Sequence, residues 1–262
     1  MSKSSDSASI LCVTSLDSYL RRFQHLRVNR KADSFSPHKP CMLLAVIELA
    51  EAGALSENRI LFTPPLMERY RALFDLVRSE RDHPNPYFPF FHLKAEGFWH
   101  LRAVRRREDV LAAMKTARSF GDIEQNVAYA FLDDQLHALL LDPVAREVLR
   151  NELVGFWFPA ARERLVALLE REGALGRYER RLRGLTEGRD VREPPEPDVE
   201  RVRSTAFRRT VLEAYDYRCA ASGWRIILPD GQVMAEAAHL IPFAASADDD
   251  PRNGIAPAPS YH

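Results

Sequence analysis

Apolar residues recur at helical spacing almost from the start of the chain. Leu16, Tyr19, Leu20, Phe23 and Leu26 mark one face of a helix that Ser15-Leu16-Asp17 opens, and the polar stretch Asn29–Pro37 then reads as a loop. From Pro40 to Ala52 the pattern is apolar nearly all round, through Met42-Leu43-Leu44, Val46-Ile47 and Leu49. A helix of that kind is buried on every side, so it is the predicted centre of the first core, ended by Gly53. Pro64-Pro65 open a third helix to about Ser79, because proline fits a helix's first turn. The polar loop Arg81–Pro86 leads into Y-F-P-F-F-H-L-K-A-E-G-F-W-H-L. Phe91–Ala95 and Phe98–Ala103 alternate there, which predicts a hairpin turning at Glu96-Gly97 with Phe88 and Pro89 exposed at its start. Helices over Arg107–Arg118, Asp133–Leu141, Pro143–Asn151 and Ala160–Glu172 follow, with a short strand at Val127–Phe131.

Residues up to about Ser9 are small and polar and are expected to be disordered. A second break comes at Gly184–Pro197, rich in Gly, Pro and charge and poor in apolar residues, inside a linker read over 176–200. The expected organisation is a larger domain over 10–175, the linker, and a small domain over 201–262. In the latter Ser204 caps a helix over Ala206–Tyr215, Val233–Ala237 forms a strand reaching His239, Pro242 stops it, and Asn253-Gly254 makes a turn. The fold class is α+β, helix-rich with a small sheet in the first domain. The second domain is short for an independent core unless a metal or further chain completes it.

At 262 residues and 46% hydrophobic content the chain has material for two cores. No apolar run approaches a membrane span, and Ala8–Val13 is too short for a signal peptide, so a cytoplasmic protein with no membrane partner is expected. Cys12, Cys41 and Cys219 are isolated, which points away from a disulfide framework or a Cys-ligated zinc; Cys219 reads as a buried turn residue. The formal net charge is zero, which argues against coating nucleic acid by bulk charge. Local basic clusters remain: Arg21, Arg22, Arg27, Arg30 and Lys31; Arg102 and Arg105–Arg107; and Arg177, Arg180, Arg181 and Arg183. Such runs are commonly solvated helix faces.

The run C-A-A-S-G-W (Cys219–Trp224), A-E-A-A-H-L-I-P-F (Ala235–Phe243) and N-G (Asn253-Gly254) before His262 resembles the HNH, or ββα-metal, endonucleases. The resemblance implies roles: His239 as general base, Asn253 orienting it through the connecting loop, and His262 as catalytic residue and metal ligand. One imidazole and one divalent cation, Mg²⁺ or Mn²⁺ as expected cofactor, together supply an activated water and charge neutralisation at the phosphate. Two departures stand out. Ala238 occupies a position where many members carry a second metal ligand, and Glu236, three along a strand, falls on the opposite face. The family's helix continues past its last His whereas the sequence ends at His262, so a truncated ββα unit is expected.

Two further segments, S-P-H-K-P-C-M-L-L-A-V-I (Ser36–Ile47) and N-P-Y-F-P-F-F-H-L-K…G-F-W-H-L (Asn85–Leu101), resemble the sulfur-binding domain found upstream of HNH domains in some phosphorothioate-dependent restriction enzymes, over roughly Leu16 to Trp157. Members recognise DNA in which sulfur replaces a non-bridging phosphate oxygen. Sulfur is large and weakly hydrated, so an apolar dimple accepts it and rejects the strongly hydrated oxygen. The resemblance carries over to His38, Lys39, Phe88, Pro89 and His92. Phe88 and Pro89 would wall the sulfur with His92 nearby, while His38 and Lys39, at a helix N-terminus, would donate to phosphate or base acceptors. Many members have Arg where Lys39 stands, and Lys does not make the planar bidentate contact to guanine.

Together the motifs point to a modification-dependent restriction endonuclease that binds phosphorothioated double-stranded DNA and cleaves it nearby, with a homodimer expected for double-strand cleavage. The rivals are a modified-DNA reader without cleavage, and an HNH nuclease whose first domain reads methylated DNA.

Overall fold

The structure is a computed structural model that describes residues 15–31, 34–188, 199–228 and 231–259. The chain divides into two compact units, one of residues 1–50 and 54–166 and one of residues 51–53 and 167–262. Among the described residues no helix is long and apolar enough to cross a membrane.

The first unit is built on helices. α1 spans residues 15–24, and a two-residue ribbon of β1 (Arg30–Lys31) and β2 (Ser34–Phe35) follows it. α2 (His38–Glu51) is buried along its length from Pro40 to Ala50, as its unbroken apolar pattern requires. Glu48 is the one charge within that stretch, and Arg150 Nε meets its carboxylate at 2.9 Å. Gly53 ends the helix with a φ of +74°, a conformation that suits glycine. α3 (Pro64–Val77) starts on its two prolines.

The expected hairpin after α3 is not what forms. Tyr87–His92 makes a short helix, α4, and Leu93–Glu96 a 3₁₀ turn closed by left-handed Gly97. Phe90, Phe91 and Leu93 are all buried, which an alternating strand facing solvent on one side would not allow. Phe88 and Pro89 therefore sit in the first turn of a helix, where proline's missing N–H is not needed. β3 (Trp99–Ala103) pairs instead with β4 (Val127–Leu132), antiparallel, in the register Trp99↔Leu132.

Between these strands the helix expected over Arg107–Arg118 is shorter, and an unexpected one follows it. α5 (Glu108–Ala113) stops early, and α6 (Phe120–Asn126) restarts where the Ser119 hydroxyl accepts from Asp122 N at 3.1 Å. A serine in that position favours a cap over a helix interior. α7 (Asp134–Leu141) and α8 (Pro143–Trp157) complete the layer, and Trp157 Nε1 donates to the Phe23 carbonyl at 2.8 Å.

α9 (Arg162–Thr186) runs well past the expected end at Glu172 and through the first part of the segment read as linker. The charged run there is helical because its charges are paired: in the second unit Arg183 Nη2 meets Glu213 at 2.8 Å and its Nη1 donates to the Ala52 carbonyl at 2.9 Å. Residues 189–198, the rest of that segment, lie outside the described residues, as do residues 1–14.

The second unit packs α10 (Val199–Ala214) against α9 and the loops that follow it. α10 is longer than the helix expected from Ser204. Its Phe207, Val211 and Leu212 form the core with Leu175, Leu182, Tyr217, Ala235 and Ala256. The strand expected over Val233–Ala237 contracts to β5 (Ala238–His239), paired with β6 (Gly254–Ile255) so that His239 lies opposite Gly254. Alanines at 235, 237 and 238 give a strand little to hold it. Between the two strands lie α11 (Phe243–Ser246) and a 3₁₀ turn over Pro251–Asn253. Gly254 is obligatory by packing: a Cβ there would stand 2.3 Å from Val211 Cγ2.

Candidate functional site

In the first unit the segment 27–29, β2, the N-terminus of α2, the loop 79–85 and α4 enclose a cleft of about 720 Å³. All five residues carried over for DNA and sulfur line it: His38, Lys39, Phe88, Pro89 and His92. α4 presents Phe88 with 44% of its surface exposed, an unusual state for a phenylalanine beside two fully buried ones. Pro89 is buried taken as a whole, yet part of it borders the cleft. The His92 ring lies 5.2 Å from that of Phe88, and its Nε2 is 3.0 Å from Thr116 Oγ1. Burial, with help from Lys39 and Lys94, pushes the His92 imidazole below its ordinary value. The result is an apolar and aromatic wall with no charge of its own near neutral pH.

The opposite side is polar. His38 Nε2 donates to the His83 carbonyl at 3.0 Å, which leaves Nδ1 to accept from the Ser36 hydroxyl at 2.7 Å. His38 thus ties the loop 79–85 to β2, and its ring meets Phe74 edge-on at 4.6 Å. Burial lowers its affinity for a proton, against a raising pull from the His83 carbonyl and Asp82. Lys39 forms an ion pair with Glu96 that is 11% exposed on the lysine side and 5% on the glutamate side, and Glu96 also accepts from Arg27 N. Arg27 and Arg81 supply exposed positive charge; among the described residues neither guanidinium is paired with a carboxylate.

The lowered affinity of His38 and His92 fixes a pH dependence. Above about 6.5 both are neutral folded or unfolded. As pH falls below that value the unfolded chain takes up protons the folded one refuses, so stability is lost as pH drops. Urea melts of the protein at pH 7.5 and 5.5 should show this fall, and a His38→Asn/His92→Asn variant should show a shallower one.

In the second unit His239 stacks on Phe207, ring centroids 3.8 Å apart and 4° from parallel. Its Nε2 is 2.9 Å from Asp249 Oδ1. Asp249 is buried, held by Arg203 Nη1 at 2.9 and 3.0 Å and by the Tyr178 hydroxyl at 3.1 Å. Burial and the Asp249 charge push the Tyr178 hydroxyl up to about 12, so it stays a donor. Asn253 closes the loop that follows His239: its Oδ1 accepts from Ile241 N at 2.9 Å, and its Nδ2 donates to the carbonyls of Ile241 at 3.0 Å and Asp248 at 3.2 Å.

Residues 16–174 match the family described as ScoMcrA-like, DNA sulfur-binding domain. The chain belongs to that family. Among solved structures, the sulfur-binding domain of SprMcrA complexed with phosphorothioated DNA is 20% identical to it, with a TM-score of 0.41 over 55% of this chain and 85% of that one. No curated protein matches.

The five residues assigned to the sulfur-binding domain thus line one cleft, and two of them already have partners within the protein. His38 is expected from the motif to donate to DNA, but both its ring nitrogens are already bonded within the protein. Lys39 is expected to do the same, and its ammonium is already taken by Glu96. Arg27, Asn29, Arg81 and Asn85 also line the cleft; Asn29 and Arg81 carry no motif signal, because each belongs to a polar loop with no periodic pattern to single it out.

Outside the sulfur-binding domain's match, His239 and Asn253 come together across β5 and β6. Asp249 and Arg203 join them unannounced, since D-D-D-P reads as a solvated acidic turn. His262 lies outside the described residues. Glu236 is exposed. Among the described residues no group of three His, Cys, Asp or Glu able to hold a metal ion occurs.

Proposed function

We propose that the chain binds double-stranded DNA carrying a phosphorothioate through the cleft of its first unit. The observation that supports this most is Phe88, standing exposed beside Pro89 and the uncharged His92 ring in a cleft whose other side carries Arg27, Lys39 and Arg81. The cations attract any phosphate backbone. The apolar wall separates the two ligands, because stripping water from a phosphate oxygen costs far more than stripping it from sulfur. Lys39 carries three N–H donors, so it would take a phosphate oxygen in addition to Glu96 and the buried carboxylate would keep its partner.

The test is a pair of matched duplexes, one with a single phosphorothioate, titrated against the protein at fixed salt. Equal affinities would sink the reading, and a preference for 5-methylcytosine would move it to methylated DNA. Phe88→Ala is expected to reduce the preference for the modified duplex by ~1–3 kcal/mol, about thirtyfold near the middle of that range. Binding of the unmodified duplex should change little.

A second reading, that the C-terminal unit is an HNH-type endonuclease, is favoured by His239 held opposite Gly254 while Asn253 pins the loop between them. Asp249 on Nε2 holds the imidazole with Nδ1 as the acceptor, the state a general base needs. A divalent cation, Mg²⁺ or Mn²⁺, is the cofactor proposed for this chemistry, although the described residues do not make up a ligand set for it. With one such site per chain, cutting both strands would take two copies, so a homodimer on DNA belongs to this reading.

A further inference from the structure

A second concentration of positive charge lies on the β3–β4 ladder. Trp99 and Leu132 face the core as a register pair, and so do Leu101 and Ala130. The alternate pairs, His100 with Phe131 and Arg102 with Tyr129, therefore share the outer face. Arg102 is exposed with its guanidinium 6.0 Å over the Phe131 ring. The Ile60↔Ala130 bridge brings Arg59 alongside, 5.2 Å over Tyr129. β3 then leads into Arg105, Arg106 and Arg107, all exposed, with Arg106 at a φ of +67°, where a non-glycine residue is uncommon.

The acidic neighbours do not cancel this charge. Asp133, at one end of the face, is occupied by His100, Tyr19 and Arg22. Glu57 lies 3.4 Å from Arg59, and Glu108 and Asp109 open α5 beyond the turn. Among the described residues no carboxylate is paired with Arg102, Arg105, Arg106 or Arg107. A solvated charged face ordinarily interleaves signs so that neighbours pair. Here the Arg102 guanidinium lies over the Phe131 ring, an arrangement that fixes its plane and leaves its N–H edges for a phosphate.

We propose that this sheet face and the Arg105–Arg107 turn form a second nucleic-acid contact, taking the phosphate backbone of the duplex outside the modified step, indifferent to sulfur and to sequence. None of these residues lines the cleft. The proposal rests on the reading that the chain binds duplex DNA there.

The experiment compares the full chain with an Arg102→Ala/Arg105→Ala/Arg107→Ala variant on short and long duplexes, each with and without one phosphorothioate, by fluorescence anisotropy across a salt series. The variant should bind long duplexes at least tenfold more weakly. Its salt dependence should be flatter by about one unit of slope for every phosphate that the arginines no longer neutralise. Its ratio of modified to unmodified affinity should hold. The matching triple Lys variant should keep most of the slope, which separates lost charge from lost folding. Unchanged affinity and slope would overturn the proposal, and so would a collapsed ratio with the slope intact, because the arginines would then act through the cleft. A wild-type chain with no preference for sulfur would remove the cleft reading alone, since the slope on unmodified long duplexes still decides the second contact.

Discussion

His239→Gln is expected to lower phosphodiester cleavage by about 10²–10⁴-fold, the share a general base usually contributes, while leaving binding of the modified duplex unchanged. A glutamine amide can still donate to Asp249, so the buried carboxylate keeps its partner along with Arg203 and Tyr178. It offers no nitrogen that accepts a proton. The substitution therefore removes the base and keeps a donor for the network, which an alanine would not do because it leaves Asp249 without that hydrogen bond. Nicking of supercoiled modified plasmid in Mg²⁺ or Mn²⁺ reads the outcome. Cleavage by the glutamine variant at the wild-type rate would show that His239 is not the base. A wild-type chain that binds modified DNA and never nicks it would favour the reader without cleavage.

What is legible in the sequence follows from how local each signal is. α2 is readable because burial on every side leaves an unbroken apolar run that no turn residue interrupts. The stretch from Tyr87 to Leu101 is not, because F-P-F-F-H-L fits a strand or a buried helical turn equally well, and the deciding partner of β3 lies about thirty residues away in β4. Gly97 signals a turn correctly in either case; only the element before it differs. The cleft is legible in its aromatic wall and in Lys39, and opaque in Arg81, which only tertiary folding brings beside Arg27. Asp249 is hidden for a related reason: which of three consecutive aspartates is buried depends on Tyr178 and Arg203, distant in the chain. The family match covers the first unit and the start of α9, which is where local motifs are densest.

Charge in the second unit is the hardest feature to place from sequence, and it carries the largest expected effect on stability. Arg209, on α10, places Nη1 3.1 Å from Glu172 and 3.2 Å from Glu179, both on α9, and all three side chains are at most 10% exposed. Arg209→Met keeps a side chain of similar length but leaves two buried carboxylates short of their shared partner. Glu179 also lies 3.8 Å from Arg183. Breaking a buried pair in this way costs ~3–5 kcal/mol, a large part of the ~5–15 kcal/mol a whole domain usually has. Amide hydrogen exchange along α10 should accelerate accordingly while α2, in the other unit, stays protected. Adding Glu172→Met and Glu179→Leu removes the stranded charges, leaves Arg183 with Glu213 and the Ala52 carbonyl, and should restore most of the protection. Recovery in that triple variant would mean that the loss came from unpaired buried charge and that apolar contact holds α9 to α10 without the ion triad; persistent loss would mean that the triad contributes stability an apolar contact does not supply.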